Sequence, residues 1–327
     1  MRSSLTDFEK ISDSAAFEEH ALALFQYQFE HNAVYRSYCD LINCSPSEVK
    51  TLLEIPFLPI QFFKSHLVSS DQRTPKIIFE SSGTTGQITS KHPVYELALY
   101  EKSFELGFKQ FYGNPEEYAL LALLPSYLER SNASLVYMAD RLIQKSKHPK
   151  SGFYLNEWEQ LHSTLHDLEN QKQKTILLGV TFALLEAIEQ FSWDLKNTIV
   201  METGGMKGMG KEWVRTALHD QLKKGFGVEQ IHAEYGMTEL LSQAYSKGEG
   251  LFYCPPWMRV FSRAPEDPFE IQGPLKSGGI NIIDLANVDS CAFIATEDLG
   301  VVYEGGGFEI LGRFDQAEVR GCNLMVV

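Results

Sequence analysis

Residues 79 to 91 read Phe-Glu-Ser-Ser-Gly-Thr-Thr-Gly-Gln-Ile-Thr-Ser-Lys. Hydroxyls at Ser81, Ser82, Thr84 and Thr85 alternate with Gly83 and Gly86, and Lys91 closes the stretch. Glycines let a backbone turn so that successive N–H groups point inward, hydroxyls add donors, and lysine adds positive charge. Together these suit the cradling of a polyphosphate. A plain Ser/Thr/Gly-rich surface loop is the alternative that the local sequence leaves open. The spacing excludes two familiar phosphate loops. A Walker A loop needs four residues between its glycines, a G-x-G-x-x-G fingerprint needs three glycines, and neither pattern is met here.

Such a loop must be held by regular elements on both sides. Lys76-Ile77-Ile78-Phe79, β-branched and aromatic behind Pro75, predicts a short strand leading in. Pro93 followed by Val94, Leu97, Leu99 and Tyr100 predicts a helix over 94–111, with proline at a tolerated first-turn position.

Two more strand ends carry candidate chemistry. Thr198-Ile199-Val200-Met201 runs into Glu202-Thr203-Gly204-Gly205, where small residues at a strand's carboxyl end let a flat base lie against backbone. A plain strand-to-helix turn reads equally well there. Ile231-His232-Ala233 leads into Glu234-Tyr235-Gly236-Met237-Thr238-Glu239. Here Tyr235 offers a stacking platform worth about 1–3 kcal/mol per base, Thr238 a hydroxyl for a phosphate, and Glu239 a hard oxygen ligand for Mg2+. His162 and His166 sit one helical turn apart without a third ligand, and no G-x-S-x-G elbow is present.

The remaining pattern is α/β. Apolar strands are expected at 118–124, 174–178, 196–201 and 229–233, and helices at 133–146, 155–171, 181–191 and 211–224. This predicts mostly parallel sheets covered by helices. Short β segments with Gly/Pro turns after residue 250 predict a smaller β-rich subdomain. Upstream, residues 14–54 read as helical, with a capping box at Ser45-Pro46-Ser47-Glu48 opening a third helix. The two prolines of Ile55-Pro56-Phe57-Leu58-Pro59 forbid regular structure and predict an aromatic plug in a groove. The expected organisation is a helical leader over 1–75, an α/β nucleotide- and acyl-binding core over 76–250, a β-rich subdomain over 251–311, and a hinge stub and tail over 312–327.

The 327 residues are 44% hydrophobic and 22% charged, an ordinary globular balance. A net charge of −14 argues against nucleic acid as partner and leaves any anionic ligand to local cations and backbone dipoles. No apolar run is long enough to span a membrane and no signal-peptide core is visible, so a cytoplasmic protein is expected. The cysteines Cys39, Cys44, Cys254, Cys291 and Cys322 form no C-x-x-C pair, so neither a disulfide framework nor a zinc cluster is indicated.

Four motifs in order resemble the adenylate-forming superfamily of acyl-activating ligases: Ser81-Ser82-Gly83-Thr84-Thr85-Gly86, Tyr235-Gly236-Met237-Thr238-Glu239, Thr296-Glu297-Asp298-Leu299-Gly300 and Gly312-Arg313-Phe314-Asp315. Within it the chain most resembles the acyl-protein synthetase family of bacterial bioluminescence. That likeness rests on Ile55-Pro56-Phe57-Leu58-Pro59-Ile60, Phe63-Lys64-Ser65, Ser90-Lys91 and Leu124-Pro125-Ser126-Tyr127-Leu128-Glu129-Arg130.

The resemblance implies the large N-terminal domain of the adenylate-forming enzymes. It also implies an AMP-forming ligase that uses ATP and Mg2+ to make a fatty acyl-adenylate and passes the acyl group to a protein thiol. Ser81, Ser82, Gly83, Thr84, Thr85, Gly86 and Lys91 would then meet the phosphates, and Thr238 and Glu239, with Glu239 the metal ligand, the α-phosphate. Gly204, Gly205, Glu234, Tyr235 and Gly236 would frame the adenine, and Asp298 and Arg313 the ribose. Expected partners are the acid and an acyl-accepting reductase, carrier or CoA.

The pattern departs from acyl-CoA synthetases in three places. The loop lysine falls late, at Lys91; Glu297 stands where a glycine is usual; and the chain ends shortly after the hinge, so the small C-terminal domain is expected to be missing. In the tail, Cys322 lies two residues from Arg320 and next to Gly321, which favours a mobile thiolate acceptor, whereas an inert small apolar role fits as well. Two alternatives stay open: an acyl-CoA ligase of the phenylacetate type helped in trans, and a catalytically silent nucleotide-binding protein. The acyl tail is expected along the helix that begins Thr181-Phe182-Ala183-Leu184.

Overall fold

The computed structural model describes residues 2–81, 88–124, 132–155, 157–204 and 214–314. The chain forms two compact units, both discontinuous in sequence: Met1–Ser103 with Thr238–Ser242 and Tyr253–Val327, and Phe104–Met237 with Gln243–Phe252.

The second unit is the α/β layer structure expected. Strands Ala119–Leu123, Thr175–Val180, Thr198–Thr203 and His232–Tyr235 lie parallel in that order. Gly152–Phe153 adds parallel to the first of them, and Ala244–Ser246 adds antiparallel to the last. Both faces are covered, so the strands read as continuous apolar runs rather than alternating ones. Leu121, Leu123, Leu177 and Val200 join Leu161, Leu165, Leu184 and Leu222 of the helices Trp158–Asn170, Thr181–Gln190 and Arg215–Phe226 in one core. Their sequence neighbours Leu120, Ile176, Leu178 and Met201 line an apolar cavity of about 30 Å³ against Met138 and Leu142 of the helix Ser134–Ser146. By the measure in which one water needs roughly 10–15 Å³, this is room for about two.

In the first unit, strands Met258–Arg263, Ser277–Asp284, Phe293–Val302 and Phe308–Arg313 pair antiparallel in sequence order. The helix Ser14–His31 starts where Asp13 accepts from the Ala16 amide at 2.9 Å. It buries Phe17, Ala21, Leu24 and Phe25. Asn32 caps the next helix, Ala33–Leu41, through the Tyr35 amide at 3.0 Å. A separate hairpin pairs Ile77–Glu80 with Lys91–Val94.

Several expectations are corrected. Pro93 opens no helix. It lies inside the strand Lys91–Val94 opposite Ile78, and the helix starts later, at Leu97–Tyr112. Among the described residues the hairpin is two strands wide, so one side of each strand has no ladder partner there and the missing proline N–H costs no ladder bond. Only half of the Ser45 box forms: the Ser45 amide and hydroxyl both donate to the Glu48 carboxylate, at 3.0 and 2.8 Å, while the Glu48 amide goes to the Ser45 carbonyl, and the segment makes only a turn. A second box follows at once, where Glu54 accepts the Lys50 and Thr51 amides and heads the short 3-10 turn Leu52–Glu54 instead.

Pro59 does not exclude pairing either. Leu58–Pro59 runs parallel to Ile294–Ala295, and the ladder continues through the Ile60 amide to the Ala295 carbonyl at 2.9 Å. Ile55, Phe57, Leu58 and Phe63 are buried around it. The strands expected at 196–201 and 229–233 are displaced towards the glycines that follow them, to Thr198–Thr203 and His232–Tyr235.

Candidate active site

In the first unit the neck of the hydroxyl-rich loop is closed by a reciprocal pair. The Ser81 amide donates to the Ser90 carbonyl at 3.1 Å, and the Ser90 amide donates to Ser81 Oγ at 2.9 Å. The Ser90 hydroxyl is itself buried and hydrogen-bonds the Glu239 carboxylate. Lys91 begins the outgoing strand, exposed and opposite Glu80.

The segment Thr238–Ser242 is gripped by side chains from elsewhere in the same unit. Asp284 takes the Leu241 and Ser242 amides at 2.8 and 2.9 Å and the Ser242 hydroxyl at 2.5 Å. Asn287 Nδ2 donates to the Glu239 carbonyl at 2.8 Å, and His92 Nδ1 lies 2.7 Å from the Thr238 carbonyl. Burial pushes the Glu239 carboxyl above its ordinary range, further than the Ser90 hydroxyl and the Lys64 charge hold it down; Asp298 adds to the rise.

Asp298 and Arg313 stand directly opposite each other on adjacent strands. The Asp298 amide donates to Thr296 Oγ1 at 3.1 Å, and that hydroxyl donates to the Ile280 carbonyl at 2.8 Å. Glu297, the departure from the motif, is taken up by an ion pair with Arg313 and by a 2.8 Å hydrogen bond from Gln61.

The second unit holds the other strand ends. Gly204, at φ +70, terminates Thr198–Thr203 in a left-handed conformation that suits glycine. Thr181 Oγ1 donates to the Gly204 carbonyl at 3.1 Å and to Glu202 at 2.8 Å. Burial alone would raise the Glu202 carboxyl, but neighbouring His219, the Arg215 guanidinium 3.3 Å away and the Thr181 hydroxyl outweigh it and hold the group below its usual range. The Thr203 hydroxyl donates to Glu234, and the Tyr235 ring packs 5.8 Å from Phe252. A Cβ on Gly236 would come within 2.5 Å of Glu234 Oε1, so any larger residue there must displace that carboxylate.

Ser82, Gly83, Thr84, Thr85, Gly86, Gly205, Asp315 and Cys322 lie outside the described residues. The helix Thr181–Gln190 turns Ala183 and Leu184 fully into the core, so its apolar face is already occupied. His162 stacks on Phe191, with ring centroids 4.6 Å apart.

Among the described residues no group of three or more His, Cys, Asp or Glu could hold a metal ion. A magnesium ion, which keeps several waters and takes one or two carboxylates plus substrate phosphates, fits Glu239: a lone, buried carboxylate that burial disfavours in its charged form. Sequence reasoning missed His92, Asn287, Thr181 and Lys64. Lys64 had a signal in Phe63-Lys64-Ser65, while the other three act on backbone carbonyls or on a neighbouring carboxylate, for which sequence carries no mark.

The model of the family "Acyl-protein synthetase, LuxE" matches residues 5–327. The chain belongs to that family. Members of the acyl-protein synthetase family are ligases that activate a fatty acid as its acyl-adenylate and transfer the acyl group to protein. Two relatives are each named long-chain-fatty-acid–luciferin-component ligase. The Vibrio harveyi protein is 25% identical over 326 residues, covering 92% of this chain and 84% of its own. The Aliivibrio fischeri protein is 25% identical over 333 residues, covering 92% and 85%.

Among solved structures, 2-hydroxyisobutyryl-CoA ligase in complex with 2-HIB-AMP and CoA matches with TM-score 0.66 at 13% identity, over 93% of this chain and 69% of that one. ATP-bound MatB from Rhodopseudomonas palustris matches with TM-score 0.54 at 17% identity, over 74% of this chain; this chain spans about half of MatB, 49%. The fold is that of the adenylate-forming enzymes. No helix among the described residues is long and apolar enough to cross a membrane.

Proposed function

We propose that this chain activates a long-chain fatty acid with ATP and passes the acyl group to a cysteine thiol. The acid's carboxylate oxygen attacks the α-phosphorus, the bond to pyrophosphate breaks, and acyl-AMP remains. A thiolate then attacks the acyl carbonyl, forming a thioester as AMP leaves. The protein's part is to orient the reactants and to neutralise developing charge.

Ser81, Ser82, Gly83, Thr84, Thr85, Gly86 and Lys91 bind the β- and γ-phosphates. Thr238 and Glu239 face the α-phosphate, with Glu239 holding Mg2+, which screens phosphate charge when bound. Gly204, Gly205, Glu234, Tyr235 and Gly236 frame the adenine, and Asp298 with Arg313 takes the ribose. Cys322 is the acceptor thiol, and a reductase or carrier protein the next acceptor.

The observation that carries this reading is Glu239. Its buried carboxylate is hydrogen-bonded to Ser90, at the neck of the hydroxyl-rich loop, and burial disfavours its charge. A long-chain acid as substrate is supported by the names of the two relatives. The test is acid-dependent exchange of labelled pyrophosphate into ATP over acids of graded chain length, followed by intact mass of the wild type and Cys322→Ser. Exchange that rises with chain length and a hydroxylamine-labile adduct on the wild type alone are expected. Exchange that ignores the acid would overturn the assignment.

A further inference from the structure

His92 lies in the strand Lys91–Val94, at its second residue, next to the lysine that ends the hydroxyl-rich stretch. Only 1% of it is exposed, and Phe63 packs edge-on against its ring at 5.9 Å. Its ring nitrogens face two oxygens: Nδ1 the Thr238 carbonyl at 2.7 Å, Nε2 the Asn287 Oδ1 at 3.1 Å. The Asn287 amide cannot turn to help, because its Nδ2 is committed to the Glu239 carbonyl at 2.8 Å and the Cys291 carbonyl at 2.9 Å.

Burial holds the imidazole neutral, with its pKa lowered to about 4 despite both contacts. A neutral ring has one N–H. The shorter contact is to a backbone carbonyl, a pure acceptor, so the proton belongs on Nδ1 and Nε2 is left facing Oδ1.

We infer that His92 is a positioning residue: its Nδ1–H fixes the Thr238 carbonyl, and with Asn287 on the next one it sets where the Thr238 hydroxyl and Glu239 carboxylate stand relative to the outgoing strand of the loop. Ser90, two residues before His92 and just ahead of the strand, hydrogen-bonds the Glu239 carboxylate. The segment Ser90–His92 therefore holds the Glu239 carboxylate through Ser90 and the Thr238 carbonyl through His92, and Asn287, in contact with His92, holds the Glu239 carbonyl. The consequence for catalysis rests on the function proposed above; the consequence for the backbone does not.

Two isosteres separate the ring nitrogens. In His92→Asn the side-chain amide reproduces the Nδ1 donor; in His92→Gln it reaches towards the Nε2 position and leaves Thr238 unheld. Hydrogen exchange reads the backbone directly, at the Leu241 and Ser242 amides that donate to Asp284. These amides should stay protected in the wild type and His92→Asn and exchange about tenfold faster in His92→Gln, as for one lost hydrogen bond.

In pyrophosphate exchange, His92→Gln should lose about 10–100-fold in kcat/KM for MgATP, the range of an outer-shell support. His92→Asn should stay within about threefold, with KM for the acid unchanged in both. A purely structural histidine would make the two variants alike. Equal exchange protection in Asn and Gln variants of equal Tm overturns the inference whatever the activity. The expected protection pattern in a wild type that shows no acid-dependent exchange would instead sink the proposed function and leave this geometry standing.

Discussion

Glu202 and Glu239 are 4% and 5% exposed, each near the end of a strand, and their environments push them in opposite directions. Glu202 has a hydroxyl, a guanidinium and an imidazole around it, which together overcome burial and keep the carboxylate charged. Glu239 has the Ser90 hydroxyl and the more distant charge of Lys64, which do not. Asp284 shows that burial alone is not the distinction. It too is pushed up, but its oxygens are spent on the Leu241, Ser242 and Ala286 amides and the Ser242 hydroxyl. A buried carboxylate saturated by protein groups is a structural part. One left short of positive charge is where a cation brings the most, and Glu239 is the member of the three that answers to this description.

Breaking each member separately sharpens the contrast. The largest effect falls on Glu239→Gln. Pyrophosphate exchange should drop by about 10²–10³, the cost of losing one well-placed electrostatic group, while urea unfolding shows no loss of stability.

Next is acid. His92 is held neutral with a pKa of about 4. Between its unfolded pKa and that value the unfolded chain binds a proton that the folded one refuses, so stability falls with falling pH. The loss should reach about 3 kcal/mol, and His92→Asn should flatten the slope in pH-dependent urea melts. Glu202, held low, adds to the loss at the acid end, whereas Glu239, held high, opposes it.

Glu202→Gln follows, costing about 1–3 kcal/mol because the partly exposed Arg215 loses its counter-ion and the buried Thr181 hydroxyl a charged acceptor, with exchange per folded molecule within about tenfold of wild type. The smallest effect is expected at Glu297→Ala. Its pair with the half-exposed Arg313 is a surface ion pair, so the unfolding free energy from urea melts should change by no more than about 0.5 kcal/mol.

The sequence made the α/β layers legible because strands covered on both faces must be continuous apolar runs, and those at 119–123 and 175–180 are. It made Glu239, Tyr235, Asp298 and Arg313 legible as motif members, and the adenylate-forming fold with them. Boundaries failed where two local signals competed. Pro93 suits a helix start as well as an unpartnered strand side, and the Ser45 box was undercut by the second box at Thr51. The discontinuity of the units was illegible, since nothing local says that Thr238–Ser242 is gripped by Asp284 and Asn287 and not by the strand that precedes it. His92 was hidden for a related reason: its partner is a backbone carbonyl 146 residues away, which any residue could supply.

The most direct measurement is the magnesium dependence of acid-driven pyrophosphate exchange in Glu239→Gln and Glu202→Gln, each corrected for its folded fraction. Glu239→Gln should stay nearly inactive at every magnesium concentration, and Glu202→Gln should follow the wild-type curve once folded. Wild-type magnesium dependence in Glu239→Gln would contradict the metal-binding role of Glu239.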